Sequence, residues 1–148
     1  SLLNKGYYFD LKTYDKSYAK YQTPTTPSIA HLFGLKYILH KISVEGLENR
    51  WKRHIDMANY TREWALNHGQ LFFPEKGCES YTLTCIKNIK NWDINALNER
   101  LLDRGFRMDR GYGDLRCKAF RVAHMGNIYF EDLKEYLHII DEFILEIT

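Results

Sequence analysis

A threonine- and proline-rich segment, residues 23–28, stands directly before a run of helical periodicity and constrains where that helix can begin. Proline suits the first turn of a helix and threonine is a good N-cap, so Thr26-Pro27 predicts a helix start. The N–H groups of a first helical turn lack intrahelical partners and favour anions. The segment therefore either offers a docking place for a phosphate, or only ends a loop and caps a helix.

Two helices are predicted in the first half of the chain. Apolar residues at helical spacing indicate the first over residues 28–41, where they form a core face. Ser43 is expected to cap a second helix that begins near Val44 and ends at Gly69. The aromatic and polar stretch before residue 23 has no sustained period, and we interpret it as an entry arm.

The second half of the chain alternates between strand and helix signals. Asp93 is expected to cap a helix that Gly105 ends, and a last amphipathic helix is predicted over residues 131–147. Short β-branched or aromatic runs bounded by turn residues predict four strands, at 71–73, 81–86, 106–108 and 119–123. Such non-consecutive strands among helices indicate an α+β fold, with a small antiparallel-type sheet covered by helices.

Composition excludes several classes of function. The 148 residues suit one domain, and 45% hydrophobic residues suffice for a core. The 21 Lys+Arg against 19 Asp+Glu are spread along the chain, so we expect no nucleic-acid or membrane partner. Three cysteines without a CxxC pattern favour free thiols in a reducing compartment. With no apolar run of about 20 residues and no signal-peptide core at Ser1-Leu2-Leu3, we predict a soluble, cytoplasmic protein.

Motifs of common enzymes are missing from the sequence. We find no P-loop, GxGxxG, HExxH or GxSxG pattern. The six histidines lie mostly on predicted helix faces without paired ligand spacing, so we interpret them as solvated or packed imidazoles and predict no metal.

Arg121 is the strongest candidate for binding chemistry. Its predicted strand places Phe120 and Val122 on one face and the guanidinium on the other. A planar guanidinium there can hold a carboxylate at two points, or simply pair with a surface acid. The residues alone leave both interpretations open.

Several short motifs in a fixed order give the chain a more specific resemblance. They are Tyr7-Tyr8-Phe9-Asp10, Thr23-Pro24-Thr25-Thr26-Pro27, Leu32-Phe33-Gly34-Leu35, Glu45-Gly46-Leu47-Glu48, Arg53-His54 and Phe120-Arg121-Val122-Ala123-His124-Met125-Gly126. In this order they resemble a class V aminotransferase, in the alanine–glyoxylate and serine–pyruvate branch. The resemblance covers nearly the entire chain and matches only the C-terminal portion of such enzymes.

The resemblance implies a pyridoxal 5'-phosphate enzyme of fold type I, which works as a homodimer on an amino acid and a 2-oxo acid such as glyoxylate or pyruvate. By the same resemblance, Arg121 holds the substrate carboxylate, while Thr26 and Thr23 bind the cofactor phosphate across the dimer interface. The implied organisation is an entry arm with the phosphate loop over residues 1–27, and a C-terminal small domain over 28–148.

The family's Schiff-base lysine would lie upstream of Tyr7, in a large domain with no matching position here. Lys5 precedes Gly6 but lacks the catalytic context. We therefore expect the chain to be an excised domain or proteolytic product that does not transaminate alone. The alternative is a non-catalytic, stand-alone α+β module for ligand binding or dimerisation.

Overall fold

The computed structural model describes residues 6–147, which separate into two compact units, 1–44 and 45–148. Ser1-Leu2-Leu3 and Lys5, considered above, lie outside the described residues. The predicted division at residue 27 concerns functional roles and stays a prediction.

The first unit contains a helix that the periodicity does not predict, α1 (Leu11–Tyr18). The Asp10 side chain accepts a hydrogen bond from Lys12 N–H and from the Thr13 hydroxyl, which caps the helix. None of the α1 residues is buried, and its apolar positions, Leu11, Tyr14 and Tyr18, span only two turns, too short a run to give a sustained period. The entry arm therefore contains a regular helix.

The long helices α2 (Ile29–Glu45) and α3 (Leu47–Asn67) follow. The prediction that Ser43 ends the first and caps the second is wrong, because α2 continues through Ser43 to Glu45. The break lies at Gly46, whose φ of 85° belongs to the left-handed region that glycine adopts without steric cost. At its start, α2 begins at Ile29 rather than at Thr26-Pro27.

The second unit contains a three-stranded antiparallel sheet in the order β1-β2-β3. Its strands are β1 (Leu71–Phe72), β2 (Leu83–Lys87) and β3 (Ala119–Ala123). Register places Arg121 of β3 opposite Cys85 of β2. The strand predicted over residues 106–108 is wrong, since none of these residues pairs with the sheet. Only the next residue, Asp109, forms an isolated bridge, with Arg121.

Helices α3, α4 (Ile94–Asp103) and α5 (Phe130–Ile147) complete the second unit, together with a short 3-10 helix over Gly113–Leu115. As predicted, the Asp93 side chain caps α4, accepting from the N–H groups of Asn95 and Ala96. Helix α3 contributes to a core shared with the sheet, α4 and α5, whose fully buried members include Met57, Ile86, Leu97, Leu101, Phe120, Leu137 and Ile140. The five α-helices and the antiparallel sheet confirm the α+β class.

Candidate functional site

Strand β3 presents Arg121 as the alternation of its side chains predicts. Phe120 and Val122 are 0% and 1% exposed and pack in the core, whereas Arg121 lies on the opposite face and is half-buried. Because β3 is an edge strand, the backbone beside Arg121 is free to meet a segment from outside the sheet. Asp109 takes that place, in an isolated antiparallel bridge with Arg121.

Asp109 is the acidic partner of Arg121. Its Oδ2 accepts a hydrogen bond and ion pair from Arg121 Nη2, and its main-chain carbonyl accepts from Arg121 N–H at 3.1 Å. This contact lowers the pKa of the Asp109 carboxyl below its ordinary value and raises the pKa of Arg121. Both groups are therefore charged across the neutral range.

No motif in the sequence singles out Asp109. The signal available for it is local, since Gly111 N–H donates to Asp109 Oδ1 at 3.0 Å, in the turn that an aspartate two residues before a glycine often forms. Its pairing with Arg121 depends on the tertiary structure. Tyr112 contacts the same arginine, with the centroid of its ring 5.0 Å from Arg121 Cζ.

A cavity of about 540 Å³ adjoins this arginine. Arg121, Asp109 and Arg107 supply its charged wall, together with Asp132 at the start of α5. Most of the remaining wall is apolar, formed by Leu83, Phe106, Val122, Met125, Ile128 and Leu133. Cavities of this size, with few polar groups in an apolar wall, are typical of small-molecule sites.

The loop that closes one side of the cavity is held by α3. Arg53 donates to the main-chain carbonyls of Gly126 and Ile128, and Glu45 accepts from Arg53 Nε at 2.7 Å. Glu45 also pairs with Arg50, and the two arginines, chiefly Arg53, lower the pKa of its carboxyl. This network ties the end of the Arg121 strand to the start of the long helix.

His124 is a packed imidazole, as the histidine interpretation expected. It is 0% exposed, and its ring contacts the Thr84 hydroxyl at 2.9 Å and the Tyr81 carbonyl at 3.1 Å. Burial lowers its pKa to about 4, so the ring is neutral at pH 7.

The threonine-proline segment lies in the first unit, whereas Arg121 lies in the second. Thr23 and Thr26 are both exposed and line a shallow concavity with Pro24, Thr25 and Pro27. The Thr23 hydroxyl donates to the Thr25 carbonyl at 2.7 Å, and Tyr7 Oη donates to the Pro24 carbonyl at 2.8 Å. Leu32 N–H donates to the Ser28 carbonyl, and this bond opens the α2 ladder.

Known proteins share both the sequence and the fold. The chain is 34% identical over 123 residues to an uncharacterized aminotransferase of Methanocaldococcus jannaschii, which covers 82% of this chain and 32% of that protein. It is 32% identical over 128 residues to the serine–glyoxylate aminotransferase of Arabidopsis thaliana, covering 82% and 31%. The structure of an alanine–glyoxylate aminotransferase from Nostoc sp. matches with a TM-score of 0.77 and 27% identity, over 94% of this chain and 38% of that one. No protein-family model matches.

These relationships define the class of protein: the chain is homologous to the C-terminal region of class V aminotransferases, whose fold is that of fold type I pyridoxal-phosphate enzymes. Within the class, it is similar to the alanine–glyoxylate and serine–glyoxylate branch. It spans about a third of the length of the curated relatives it matches.

No helix in the described part of the chain combines the length and apolar character needed to cross a membrane.

Proposed function

We propose that this chain is the C-terminal domain of a pyridoxal-phosphate aminotransferase, which transfers an amino group between an amino acid and a 2-oxo acid such as glyoxylate or pyruvate. Homology to class V aminotransferases supports the reaction class. The chain contributes contacts to substrate and cofactor, while a lysine-bearing domain supplies the covalent chemistry.

One observation carries the substrate part of the proposal, namely the position of Arg121 on the wall of the cavity. Among the described residues, Asp109 engages its Nη2, and Nε is buried without a hydrogen-bond partner. A guanidinium carries five N–H donors, so several remain for a ligand. A planar fork of this kind suits the carboxylate that every amino acid and 2-oxo acid carries.

Thr26 and Thr23 are proposed to hold the cofactor phosphate. The Thr26 hydroxyl makes no hydrogen bond within the described residues, so it is available as a donor, whereas the Thr23 hydroxyl already donates to Thr25. The start of α2 follows these residues and adds N–H groups that favour an anion. Hydroxyl donors before a helix start therefore fit a phosphate, Thr26 better than Thr23.

Pyridoxal phosphate, when bound, supplies an electron sink for the transfer of the amino group. The residues of this chain would orient the substrate carboxylate and anchor the phosphate. In the proposed enzyme the phosphate contacts reach the active site of a second subunit, so the active form is a homodimer.

A stand-alone module for ligand binding or dimerisation is the second candidate. The observation that favours it is the cavity beside Arg121, whose lining residues all belong to the second unit. Such a module would bind a carboxylate at Arg121 without any amino-group transfer.

The proposal is tested by adding pyruvate or glyoxylate to the purified chain and following the NMR signal of the Arg121 Nε–H group. In the wild type, we expect a saturable shift of this signal and of the backbone amides next to Arg121. In Arg121→Ala, the same backbone amides should not shift. The absence of a saturable response to either acid in the wild type contradicts the assignment of Arg121 to the substrate.

A second experiment tests whether this chain has cofactor chemistry of its own. Pyridoxal phosphate is added in limiting amount, imines are reduced, and modified lysines are mapped by mass spectrometry. We expect negligible or scattered labelling, because the catalytic lysine belongs to another domain. One dominant lysine would instead establish cofactor chemistry in this chain alone.

A further inference from the structure

We infer that Asp109 and Tyr112 set the orientation of the Arg121 guanidinium before a ligand arrives, which makes Asp109 a positioning residue of the carboxylate site. This inference rests on the proposed function, because it describes how the same arginine is prepared for its ligand. It assigns a role to two residues of the 109–112 turn that the motifs above leave out.

Asp109 is fixed by three contacts at once. Its Oδ2 accepts from Arg121 Nη2, its Oδ1 accepts from Gly111 N–H at 3.0 Å, and its main-chain carbonyl accepts from Arg121 N–H at 3.1 Å. The side-chain and main-chain contacts join the same two residues and close a ring. The carboxylate therefore cannot turn away from the guanidinium without disrupting the turn.

Gly111 is required for this turn. Its φ of +78° lies in the left-handed region, and a Cβ placed there would lie 2.6 Å from the Leu115 carbonyl oxygen and 2.8 Å from that of Ala119. Backbone atoms on both sides leave no room for a larger residue. The N–H that holds Asp109 Oδ1 thus belongs to a closely packed turn.

Tyr112 covers one face of the guanidinium. Its ring centroid lies 5.0 Å from Arg121 Cζ, a distance at which a cation and an aromatic ring attract each other. Arg121 and Asp109 line the cavity, whereas Tyr112 is not among the lining residues. The ring therefore restrains the plane of the guanidinium without taking space in the cavity.

The anchoring of Asp109 shows whether it competes with the substrate carboxylate or positions the guanidinium. A loosely held acid would compete with the substrate carboxylate for the guanidinium and would leave when the substrate binds. Asp109 is instead tied to Gly111 and to the Arg121 backbone, and it engages Nη2 alone among the guanidinium nitrogens. Because the guanidinium is already ordered, the Arg121 side chain loses less conformational entropy when a ligand binds to its remaining donors.

The orientation is measured directly in the ligand-free chain by NMR of the arginine side chains. Rotation about the Nε–Cζ bond averages the two Nη signals of a free guanidinium, whereas a held one keeps them separate. We expect separate signals for Arg121 in the wild type and averaged signals in Asp109→Asn and in Tyr112→Leu. Asp114→Asn, an exposed acid in the same loop, is the matched control and should leave them separate.

Freely averaged Arg121 signals in the wild type would overturn the inference. So would signals that remain separate in both Asp109→Asn and Tyr112→Leu. Tyr112 is 74% exposed, so its substitution leaves the fold intact even if Asp109→Asn lowers stability, which a urea titration of each variant checks.

A titration with pyruvate gives the functional consequence. We expect Asp109→Asn to weaken pyruvate binding about 10-fold, as the loss of a charge-assisted contact predicts, with Asp114→Asn unchanged. Equal or tighter binding by Asp109→Asn would identify Asp109 as a competitor and overturn the positioning role. If the wild type shows an ordered guanidinium but no response to pyruvate, the inference stands and the proposed substrate role of Arg121 fails.

Discussion

Arg121 combines a rigid backbone attachment with side-chain donors that are still free. Its neighbours along the strand, Phe120 and Val122, are core residues, so the backbone that carries the guanidinium is rigid. Its side chain nevertheless reaches a cavity, where only part of its donor set is used by Asp109. A rigid attachment with free donors is what a specific carboxylate site requires.

Replacing Arg121 tests this at the level of activity. In an aminotransferase that contains this chain, we expect Arg121→Ala to lower kcat/KM for both the amino acid and the oxo acid by ~10-fold or more, since a hydrogen bond to a charged group contributes roughly 1.5–3 kcal/mol. Arg121→Lys should recover little, because an ammonium lacks the planar fork. Steady-state kinetics measure the effect. Exposed Arg116 supplies the control variant Arg116→Ala, and unchanged kinetics in Arg121→Ala would refute the assignment.

Thr26 should affect the cofactor rather than the substrate. In the same enzyme, Thr26→Val removes one hydroxyl donor at constant side-chain size, and we expect about 2- to 10-fold weaker retention of pyridoxal phosphate. Absorbance after dialysis measures the cofactor that remains bound. Thr25→Val, in the same segment, is the control, and equal cofactor loss in both variants would argue against a specific role for Thr26.

His124 makes folding stability depend on pH. Its folded pKa of about 4 lies below the ordinary value of 6.5, so the unfolded chain takes up the proton first as the pH falls. The contribution of this group to the free energy of unfolding is on the order of 3 kcal/mol. It is fully present above pH 6.5 and is lost progressively as the pH falls from 6.5 to about 4. Burial also lowers the pKa of His54, so this residue changes stability in the same direction.

Urea titrations at pH 7, 6 and 5 measure this effect as a falling midpoint. We expect a smaller decline in His124→Gln, which keeps a hydrogen-bonding side chain without the titration. His138→Gln changes an exposed ring and serves as control. A decline in His124→Gln as steep as in the wild type would show that other groups control the acid sensitivity.

At the scale of elements, the junction between α2 and α3 shows how backbone conformation decides a helix boundary. Ser43 has the chemistry of a cap, yet α2 continues past it to Glu45. Gly46 adopts φ 85° and begins α3 without a side-chain cap. The capping preference of serine is worth only about 1 kcal/mol, so helix continuation and Gly46 outweigh it here.

Helix α4 offers a direct measurement of a cap. The Asp93 side chain accepts from the N–H groups of Asn95 and Ala96 at 3.0 and 3.1 Å. We expect Asp93→Ala to lower the free energy of unfolding by about 0.5–2 kcal/mol, as urea titration would measure. Asp103→Ala, at the opposite end of α4, removes an acid that the helix dipole disfavours and should not destabilise. Equal losses in the two variants would contradict the capping role.

At the scale of the whole molecule, α2 has an unusual surface. It is described along its whole length, none of its residues is buried, and its exposed apolar side chains include Leu32, Phe33, Leu35 and Leu39. Apolar helix surface of this extent normally packs against another element. Exposed surface of this kind promotes association.

We therefore expect the purified chain to self-associate, with a weight-average mass that rises with concentration in sedimentation experiments. Phe33→Glu should shift the equilibrium towards the monomer, because Phe33 is 68% exposed and its replacement puts a charge in the apolar surface. His40→Glu adds a charge at an exposed polar position of the same helix and is the control. A monomeric wild type over the whole concentration range would contradict this expectation.

Elements with a strong local signal were predictable from the sequence. Strand β3 occupies the predicted residues because alternation, β-branching and flanking turns agree, and the Asp93 cap depends on its own neighbours. Helix α1 escaped prediction because its apolar positions span only two turns. The segment at 106–108 has strand propensity, but none of its residues pairs with β3, and the bridge to Arg121 is made by the next residue, Asp109.

The sequence by itself determined the α+β class, the face of β3 from which Arg121 projects, and the family resemblance of its motifs. Only the tertiary structure decided the Asp109–Arg121 pair, the stacking of Tyr112 and the cavity beside them. The physical reason is the distance along the chain over which each interaction acts. Periodicity and capping act within one or two turns of chain, whereas the partner of a charged side chain depends on which distant segment the fold brings beside it.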